Sequence, residues 1–579
     1  MNQPALQVSA ATRNNWKRLS SATDGRLRSR ANKLCSDRLV AAETYIRSAS
    51  LAAFLNTLYE RNERLGDMMF TLALQLLDTC APHSPNTIRF RQEYGDQHQA
   101  VASLRAPDGM LNGVQDGLGY LYQSLTKEGE RNARGQYYTN ARIVEDMLRG
   151  LDFSRGQRLL DPCCGSGAFL LGAPVESPDQ LFGIDIDPVA VMIAKANIIA
   201  KFPQASRYPN IYCQDFLDDS LFQTNLLPDN QFDYVCTNPP WGTTRDRRKL
   251  QPSVVRSNER SSLFVVKGCR KLRADGTLTF LLPTSILKVA THEDVRSYFL
   301  HKTCIAKIKI YQERFNGVFT DFFSIQLTKG EAPSVQTYEV EDSDGIRMCS
   351  TDVPASTSPW LISMASPKDE AIIAQVEAKR HDDLSHSLWG LGIVTGDNRH
   401  KLSDTPADDL EPIFTGKEIR PYTLDAPRRY VRYRRDTFQQ CARDEMYRAP
   451  EKLVYRFIAN RPVFAYDDGQ HLMLNSANIL IPQVSTLSAK VVMAFLNSEL
   501  FSFVYRKRFH DVKVLKGNLQ RLPLPQLSAD SHEQLEQLVT RIIGGDRQAI
   551  GEIDRFIYHF YQIDADTVAY ISDFVGRKS

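Results

Sequence analysis

The chain has 579 residues, 42% of them apolar and 24% charged, and a net charge of +3. That is the balance of an ordinary globular protein with material for several cores, at about 150 residues each. No run approaches the ~18 uninterrupted apolar residues of a membrane helix, the N-terminus lacks a charged-then-apolar signal pattern, and ten cysteines without a Cys-x-x-Cys argue against structural zinc or a disulfide framework, so a cytoplasmic protein is expected.

In chain order, the leucines and methionines at 51, 55, 58, 65, 68, 69 and 72 recur at helical spacing, which predicts a helical N-terminal region over 1–104. A polar, turn-rich stretch over 80–100 (CAPHSPNTIRFRQEYGDQ) reads as a boundary. Short β-rich runs then alternate with amphipathic segments: Arg158–Leu160, Leu181–Ile184, Phe232–Cys236, Leu278–Leu282, Ile305–Tyr311 and Phe322–Leu327. Alternation of this kind predicts an α/β domain over 105–345 with a doubly wound parallel sheet. Too little chain joins the last two runs for a helix, so they are expected to pair antiparallel at one edge. Residues 346–530 show short strands, turns and many arginines, and 531–579 form a helical segment. From Lys417 to Arg521 there are 19 Lys and Arg against 10 Asp and Glu, a local +9 that leaves −6 for the rest. A basic module on a slightly acidic body suits a polyanionic partner, although a solvated arginine-rich surface has the same composition.

Three strand ends carry candidate ligand contacts. Asp161-Pro-Cys-Cys-Gly-Ser-Gly-Ala-Phe169 leaves one strand and opens a helix, and Gly165 and Gly167 permit a tight turn and close approach of a ligand. Leu170 stands where a dinucleotide site wants its third glycine, and the Gly-Lys-Ser/Thr of a P-loop is absent. A diphosphate is therefore disfavoured, and Asp161 beside the loop suits the cationic amino-acid part of a ligand. Asp185, at the next strand end, can accept from two ribose hydroxyls. Asp215 and Phe216 suit an adenine, one accepting from its amine and the other lying on its face. Amino acid, ribose and adenine without phosphate describe S-adenosylmethionine.

Phe232 to Trp241 (FDYVCTNPPW) is the most specific signal. Two prolines fix the backbone, so the Asn238 oxygen and the Pro239 carbonyl aim at one spot. An amino group conjugated to a ring is a poor nucleophile. Two acceptors on its N–H groups draw it toward tetrahedral geometry and direct its lone pair at a methyl donor. Trp241 offers a face for the acceptor ring, a contact worth roughly 1–3 kcal/mol.

These motifs resemble the γ-type (TaqI-like) DNA adenine-N6 methyltransferase family, with a C-terminal target-recognition domain. The resemblance implies a class I S-adenosylmethionine-dependent methyltransferase fold, Rossmann-like with an antiparallel edge, followed by an α+β target-recognition domain. Upstream, Gly135-Gln-Tyr-Tyr-Thr139-Asn140 is similar to the family's first cofactor segment, with Asn140 where a proline is usual. By resemblance, Thr139, Asp161, Cys163, Gly165, Gly167, Asp185, Asp215, Phe216 and Pro240 hold the cofactor. Asn238, Pro239, Pro240 and Trp241 are the catalytic segment, and Phe315, with Phe319 as the close alternative, packs on the extruded base. Gly392–Asn398, Phe414–Arg420, Asp511–Lys516 and Leu522–Pro525 look like segments of the recognition domain.

The implied reaction is methylation of adenine N6 in double-stranded DNA, in a restriction–modification or related defence system alongside a separate endonuclease or other defence proteins. An adenine within a duplex must be extruded to react, which costs a few kcal/mol. Candidate DNA contacts are Arg428, Arg429, Arg432, Arg434 and Arg435, interleaved with Tyr430 and Tyr433, together with Arg506, Lys507, Arg508, Lys513 and Lys516. Thr243–Lys249 reads either as a loop over the substrate or as an ordinary exposed loop. Asn-Pro-Pro-aromatic also occurs in methyltransferases of protein glutamine and RNA bases, so those acceptors stay open, as does a DNA-reading subunit of a nuclease complex. The N-terminal hundred residues hold no convincing nuclease motif, and no metal is expected.

Overall fold

The computed structural model describes residues 39, 49–107, 111, 116–127, 129–131, 138–218, 227, 231–242, 255, 259–312, 321–343, 345–353, 362–459, 461–509 and 513–576. The chain divides into two compact units, 1–362 and 363–579.

Unit 1 is built on a nine-stranded sheet. Its strands are β1 (Leu159–Asp161), β2 (Leu181–Asp185), β3 (Asn210–Cys213), β4 (Phe232–Thr237), β5 (Leu272–Pro283), β6 (Thr303–Ile310), β7 (Phe322–Lys329), β8 (Val335–Asp342) and β9 (Gly345–Asp352), in the order β3-β2-β1-β4-β5-β7-β6-β8-β9. β1 to β5 run parallel, and every residue of β1 and β2 is buried, as strands covered on both faces must be. The strand order reverses between β1 and β4, and their carboxyl ends therefore open the crevice where ligands settle in such sheets. β7 is antiparallel to both β5 and β6. The expected antiparallel pairing of β6 and β7 is present, but not at the edge. β8 adds parallel to β6 and β9 closes the row, two strands whose exposed, charged faces hid their alternation.

The helices before the sheet share a core with its crossover helix. They are α1 (Ala49–Tyr59), α2 (Leu65–Cys80), α3 (Pro85–Gly95) and α4 (Gly117–Leu125). Met68, Met69, Leu72, Leu76 and Phe90 are buried in one cluster with Met192, Ile193, Ala196 and Ile199 of α7 (Pro188–Lys201), the crossover helix after β2. This explains why α7 is buried from Ala190 to Ala200 and shows little amphipathicity in sequence: it lies between the sheet and the N-terminal helices. The stretch over 80–100 read as a turn-rich boundary is largely helix α3. Ser84 caps it by accepting from the Asn86 amide, and Asn86 Nδ2 donates to the carbonyls of Ala205 and Arg207 at 2.8 and 2.9 Å. Ser-Pro at its start is a helix signal, which the polar composition masked.

Unit 2 contains two four-stranded sheets. One has β10 (Leu388–Leu391), β17 (Ala477–Ile481), β14 (Lys452–Arg456) and β15 (Phe464–Asp467) in that order; the other has β11 (Leu402–Ser403), β13 (Tyr430–Val431), β12 (Glu411–Phe414) and β16 (Leu472–Met473). Residues from both sheets, among them Ile413, Val431, Val454, Ala465, Leu472 and Ile479, form a common core. Helices α10 (Pro367–Glu377), α11 (Ala489–Asn497), α12 (Glu499–Phe509), α13 (Ala529–Ile543), α14 (Ala549–Phe560) and α15 (Ala565–Gly576) complete the unit. Two ion pairs are buried within it: Lys452 Nζ lies 2.7 Å from Asp467 Oδ2, and Lys507 Nζ lies 3.1 Å from Asp369 Oδ2. Among the described residues no helix is long and apolar enough to cross a membrane.

Candidate active site

A cavity of about 270 Å³ opens at the carboxyl ends of β1 to β4. Cys163, Gly165, Asp185, Asp215, Phe216, Asn238 and Pro240 line it together. Residues from four separate strand ends thus face one space, because parallel strands deliver their ends to the same edge of the sheet.

The loop after β1 turns through Gly165 (φ 52°) and Gly167 (φ 94°), both in the left-handed region. A Cβ on Gly167 would also stand 3.4 Å from Cβ of Ala194 on α7, so this glycine provides both the turn and the helix approach. Asp161 accepts from Thr237 Oγ1 at 2.6 Å and from the Cys163 amide at 3.2 Å, both through Oδ1. Its Oδ2 is buried with no hydrogen-bond partner. Burial, followed by the like charge of Asp185, raises the Asp161 pKa to about 7 against the two hydrogen bonds that lower it. Asp185 accepts from the Gly165 and Asp187 amides, each at 2.9 Å, and burial pushes its pKa to about 6. Cys163 is held as a thiol, its pKa raised by burial and by Asp161, with Sγ 2.9 Å from Thr237 Oγ1.

Asp215 accepts from the Leu217 amide at 3.0 Å. Phe216 is 1% exposed, its ring 5.3 Å from that of Phe264 and 5.3 Å from Lys267 Nζ. Ile186, beside Asp185, is 60% exposed in the cavity wall. Asn238 Nδ2 donates to Thr139 Oγ1 at 3.1 Å, which sets the amide so that Oδ1 is its accepting end. Trp241 differs from the sequence expectation of an open stacking face. It is 9% exposed, donates Nε1–H to the Leu281 carbonyl at 3.2 Å, and packs on Phe322 at 6.0 Å. Phe315, its alternative Phe319, the Thr243–Lys249 loop and residues 135–137 of the upstream motif lie outside the described residues.

The sequence reading missed the wall supplied by α4 and the chain after it. Tyr122, Gln123, Thr126, Arg131 and Tyr138 line the cavity. Asp116 caps α4 by accepting from the Gly119 amide and also accepts from Asn197 Nδ2, both at 2.8 Å; the Ser166 hydroxyl donates to it as well, and Ser166 bonds the Tyr138 hydroxyl. Tyr122 donates to Asp187 at 2.7 Å. A Cβ on Gly119 would fall 2.0 Å from the Tyr138 hydroxyl. The Gly119-Tyr-Leu-Tyr122 run could have signalled this, since only glycine admits that approach.

In unit 2 the proposed DNA contacts divide. Arg429 meets Asp404 at 2.9 Å, Arg435 meets Asp444 at 2.9 Å, Arg428 lies 3.9 Å from Glu418, and Arg432 is bonded to Asp409. Arg434 is exposed. Lys507 requires correction: it is 5% exposed and committed to Asp369, so it is not on the surface a phosphate would reach. Arg506 donates to the Phe574 carbonyl at 3.0 Å, and Arg508 pairs with Glu377 at 2.6 Å. Lys513 and Lys516 are exposed.

Residues 114–338 match the N-6 DNA Methylase family, and residues 411–524 match the TaqI-like C-terminal specificity domain. The chain therefore carries an N-6 DNA Methylase domain followed by a TaqI-like specificity domain. It is 29% identical over 315 residues to the Type II methyltransferase M.VspI of Vibrio sp., covering 52% of this chain and 75% of that protein. It is 23% identical over 339 residues to the Type II methyltransferase M.HindII of Haemophilus influenzae, covering 52% of this chain and 61% of that protein. Among solved structures, the Type IIL restriction-modification enzyme MmeI in complex with DNA aligns with a TM-score of 0.58 at 12% identity, over 93% of this chain and 99% of that one. At that identity the likeness is one of fold: a methyltransferase α/β sheet.

Proposed function

We propose that this protein transfers a methyl group from S-adenosylmethionine to the N6 amine of an adenine in double-stranded DNA, at a site its TaqI-like specificity domain reads. The observation that carries the reading is the one cavity lined by Cys163 and Gly165 of the loop that follows Asp161, by Asp185, by Asp215 and Phe216, and by Asn238 and Pro240.

The residues fit the cofactor. Asp161 Oδ2, buried without a partner, is an acceptor that a cationic amino group satisfies, and an ammonium beside it favours the ionised carboxylate. Asp185 would take the ribose hydroxyls, Asp215 the adenine amine, and exposed Ile186 and the Phe216 ring would enclose the base. When bound, S-adenosylmethionine supplies an electrophilic methyl on a sulfonium. Asn238 Oδ1 and the Pro239 carbonyl accept the two N–H bonds of the target amine and orient its lone pair. The gain is electrostatic positioning of a weak nucleophile. Cys163 takes no part as a nucleophile, since its surroundings hold it protonated. The methylated nitrogen is acidic and releases its proton without a strong base.

The test is single-molecule modification sequencing of genomic DNA from a methylation-free host expressing the protein, with Asn238→Ala as control. N6-methyladenine at one recurrent motif, absent with the variant, is the expected result. No modified base in either strain overturns the reading for the chain acting alone.

A further inference from the structure

Unit 2 has a second group of cations, outside the arginine-rich stretch Arg428–Arg435. β14 ends at Arg456, and the chain then forms a turn toward β15 that contains Ile458, the most exposed large apolar side chain among the described residues at 68%. The segment at Lys513 lies alongside this turn: Val514 N–H donates to the Phe457 carbonyl at 2.9 Å, and Lys513 Nζ sits 5.6 Å from the Phe457 ring. On the other flank, Phe457 N–H donates to the Ser476 carbonyl, and Ser476 Oγ accepts from the Gly416 amide at 3.0 Å. Exposed Lys417 follows Gly416. Arg456 donates Nε and Nη2 to the Ile419 carbonyl at 2.9 and 2.6 Å.

The charge here is crowded. Burial first, and then the like charges of Arg420 and Arg461, hold the Arg456 guanidinium below its ordinary value, with Asp425 opposing. The described carboxylates facing this end have other partners. Asp425 holds Arg420 at 2.8 Å, buried Glu418 accepts the Thr415 amide and hydroxyl, and Asp554, facing Arg461, accepts the Glu499 amide. Along Arg428–Arg435, by contrast, four of the five guanidinium groups lie beside a carboxylate. A polyanion relieves like-charge repulsion at the first place and must displace ion pairs at the second. An apolar side chain standing within a cationic surface matches a duplex, where phosphates flank the apolar faces and methyl groups of bases.

We propose that the DNA duplex is gripped at the β14–β15 end of unit 2, with Lys417, Arg461 and Lys513 on its phosphates and Ile458 against its bases. This rests on the DNA-methylating reading above and adds which surface of the specificity domain holds the substrate. Ile458 makes its contribution to sequence preference, while the cations act on any duplex.

The test uses the full-length protein, a 30-bp duplex (about three helical turns) carrying the motif recovered by modification sequencing, and a scrambled duplex of equal length. Affinity is measured over a series of salt concentrations. The pair Arg461→Ala, Lys513→Ala should reduce the slope of log affinity against log salt by about 0.9 for each lost phosphate contact. Ile458→Ala should leave that slope unchanged and lower the cognate-over-scrambled ratio about tenfold, the size of a typical single-contact loss. Arg429→Ala should change neither. Melting temperature and S-adenosylmethionine binding, unchanged in all variants, show that each folds. If wild-type protein methylates its motif but the slope and the ratio survive these substitutions, the surface is elsewhere and the proposal falls. If wild type neither methylates DNA nor prefers any duplex, it is the methylating reading that fails, and this one with it.

Discussion

The carboxyl end of the unit 1 sheet and the arginine-rich stretch Arg428–Arg435 of unit 2 both attract attention in the sequence, and the structure treats them in opposite ways. At the sheet end, polar groups are buried and each is fixed by its neighbours: Asp161 by Thr237 and Cys163, Asp185 by two amides, Asn238 by Thr139. Along Arg428–Arg435, the charges are exposed and three of them lie against equally exposed aspartates. A buried polar group without a partner is costly, so its presence points to a ligand. An exposed ion pair is worth little and its existence points to nothing in particular. Motifs that bury polar atoms are therefore informative, whereas counts of surface charge are not.

Four variants sharpen or break that contrast. The largest effect is expected for Asn238→Ala. Loss of one preorganised acceptor should lower methyl transfer by about 10²–10³-fold or more, while S-adenosylmethionine affinity by calorimetry stays within about threefold, the size of an effect under 1 kcal/mol. Equal loss of binding and turnover would instead make Asn238 a structural residue. Next is Asp185→Ala, which strips a buried acceptor worth about 1–3 kcal/mol and should weaken cofactor binding by roughly ten- to a hundredfold. Binding unchanged in this variant would move the ribose elsewhere.

The third prediction concerns pH. The pKa of Asp161 rises from 3.8 to about 7 on folding, so its contribution to stability is fully present below pH 4 and is lost as pH rises through 7. The cofactor-free protein should therefore lose melting temperature between pH 5 and pH 8, and Asp161→Asn should flatten that decline. S-adenosylmethionine, favouring the ionised carboxylate, should stabilise wild type more at pH 8 than at pH 5. A wild-type decline unaltered in Asp161→Asn would assign it to another group. The smallest effect is expected for Arg432→Ala with Arg434→Ala. With Arg432 already on Asp409, DNA affinity should change by no more than about threefold, in keeping with an exposed pair worth under 1 kcal/mol. A large change in salt slope would return the DNA surface to this stretch.

How much was legible in advance follows the same division. Six of the strands and the positions that line the cavity from β1, β2, β3 and β4 could be read because each motif is consecutive in sequence and sits where a strand ends. Asp116, which holds Ser166 of the loop, and Gln123 and Arg131, which line the cavity, could not be, since they come from more than thirty residues upstream with no pattern beyond an amphipathic helix. β8 and β9 were missed because one face of that hairpin sets half-buried Glu339 and Glu341 beside exposed Ile346 and Met348, which blurs the alternation a half-buried strand shows. Lys507 looked like part of a basic surface cluster because Arg506 and Arg508 flank it. Its buried partner, Asp369, is on another helix far back in the chain.

The core shared by α2, α3 and α7 also has a consequence for the order in which the protein is made. Synthesis delivers Met68, Met69, Leu72 and Phe90 well before the α7 residues that cover them. Until Ile199 leaves the ribosome, the N-terminal helices present an uncovered apolar face, the kind of surface that chaperones bind and aggregates grow from. The α2 and α3 helices can therefore finish folding only once α7, about a hundred residues further along the chain, has emerged to cover them.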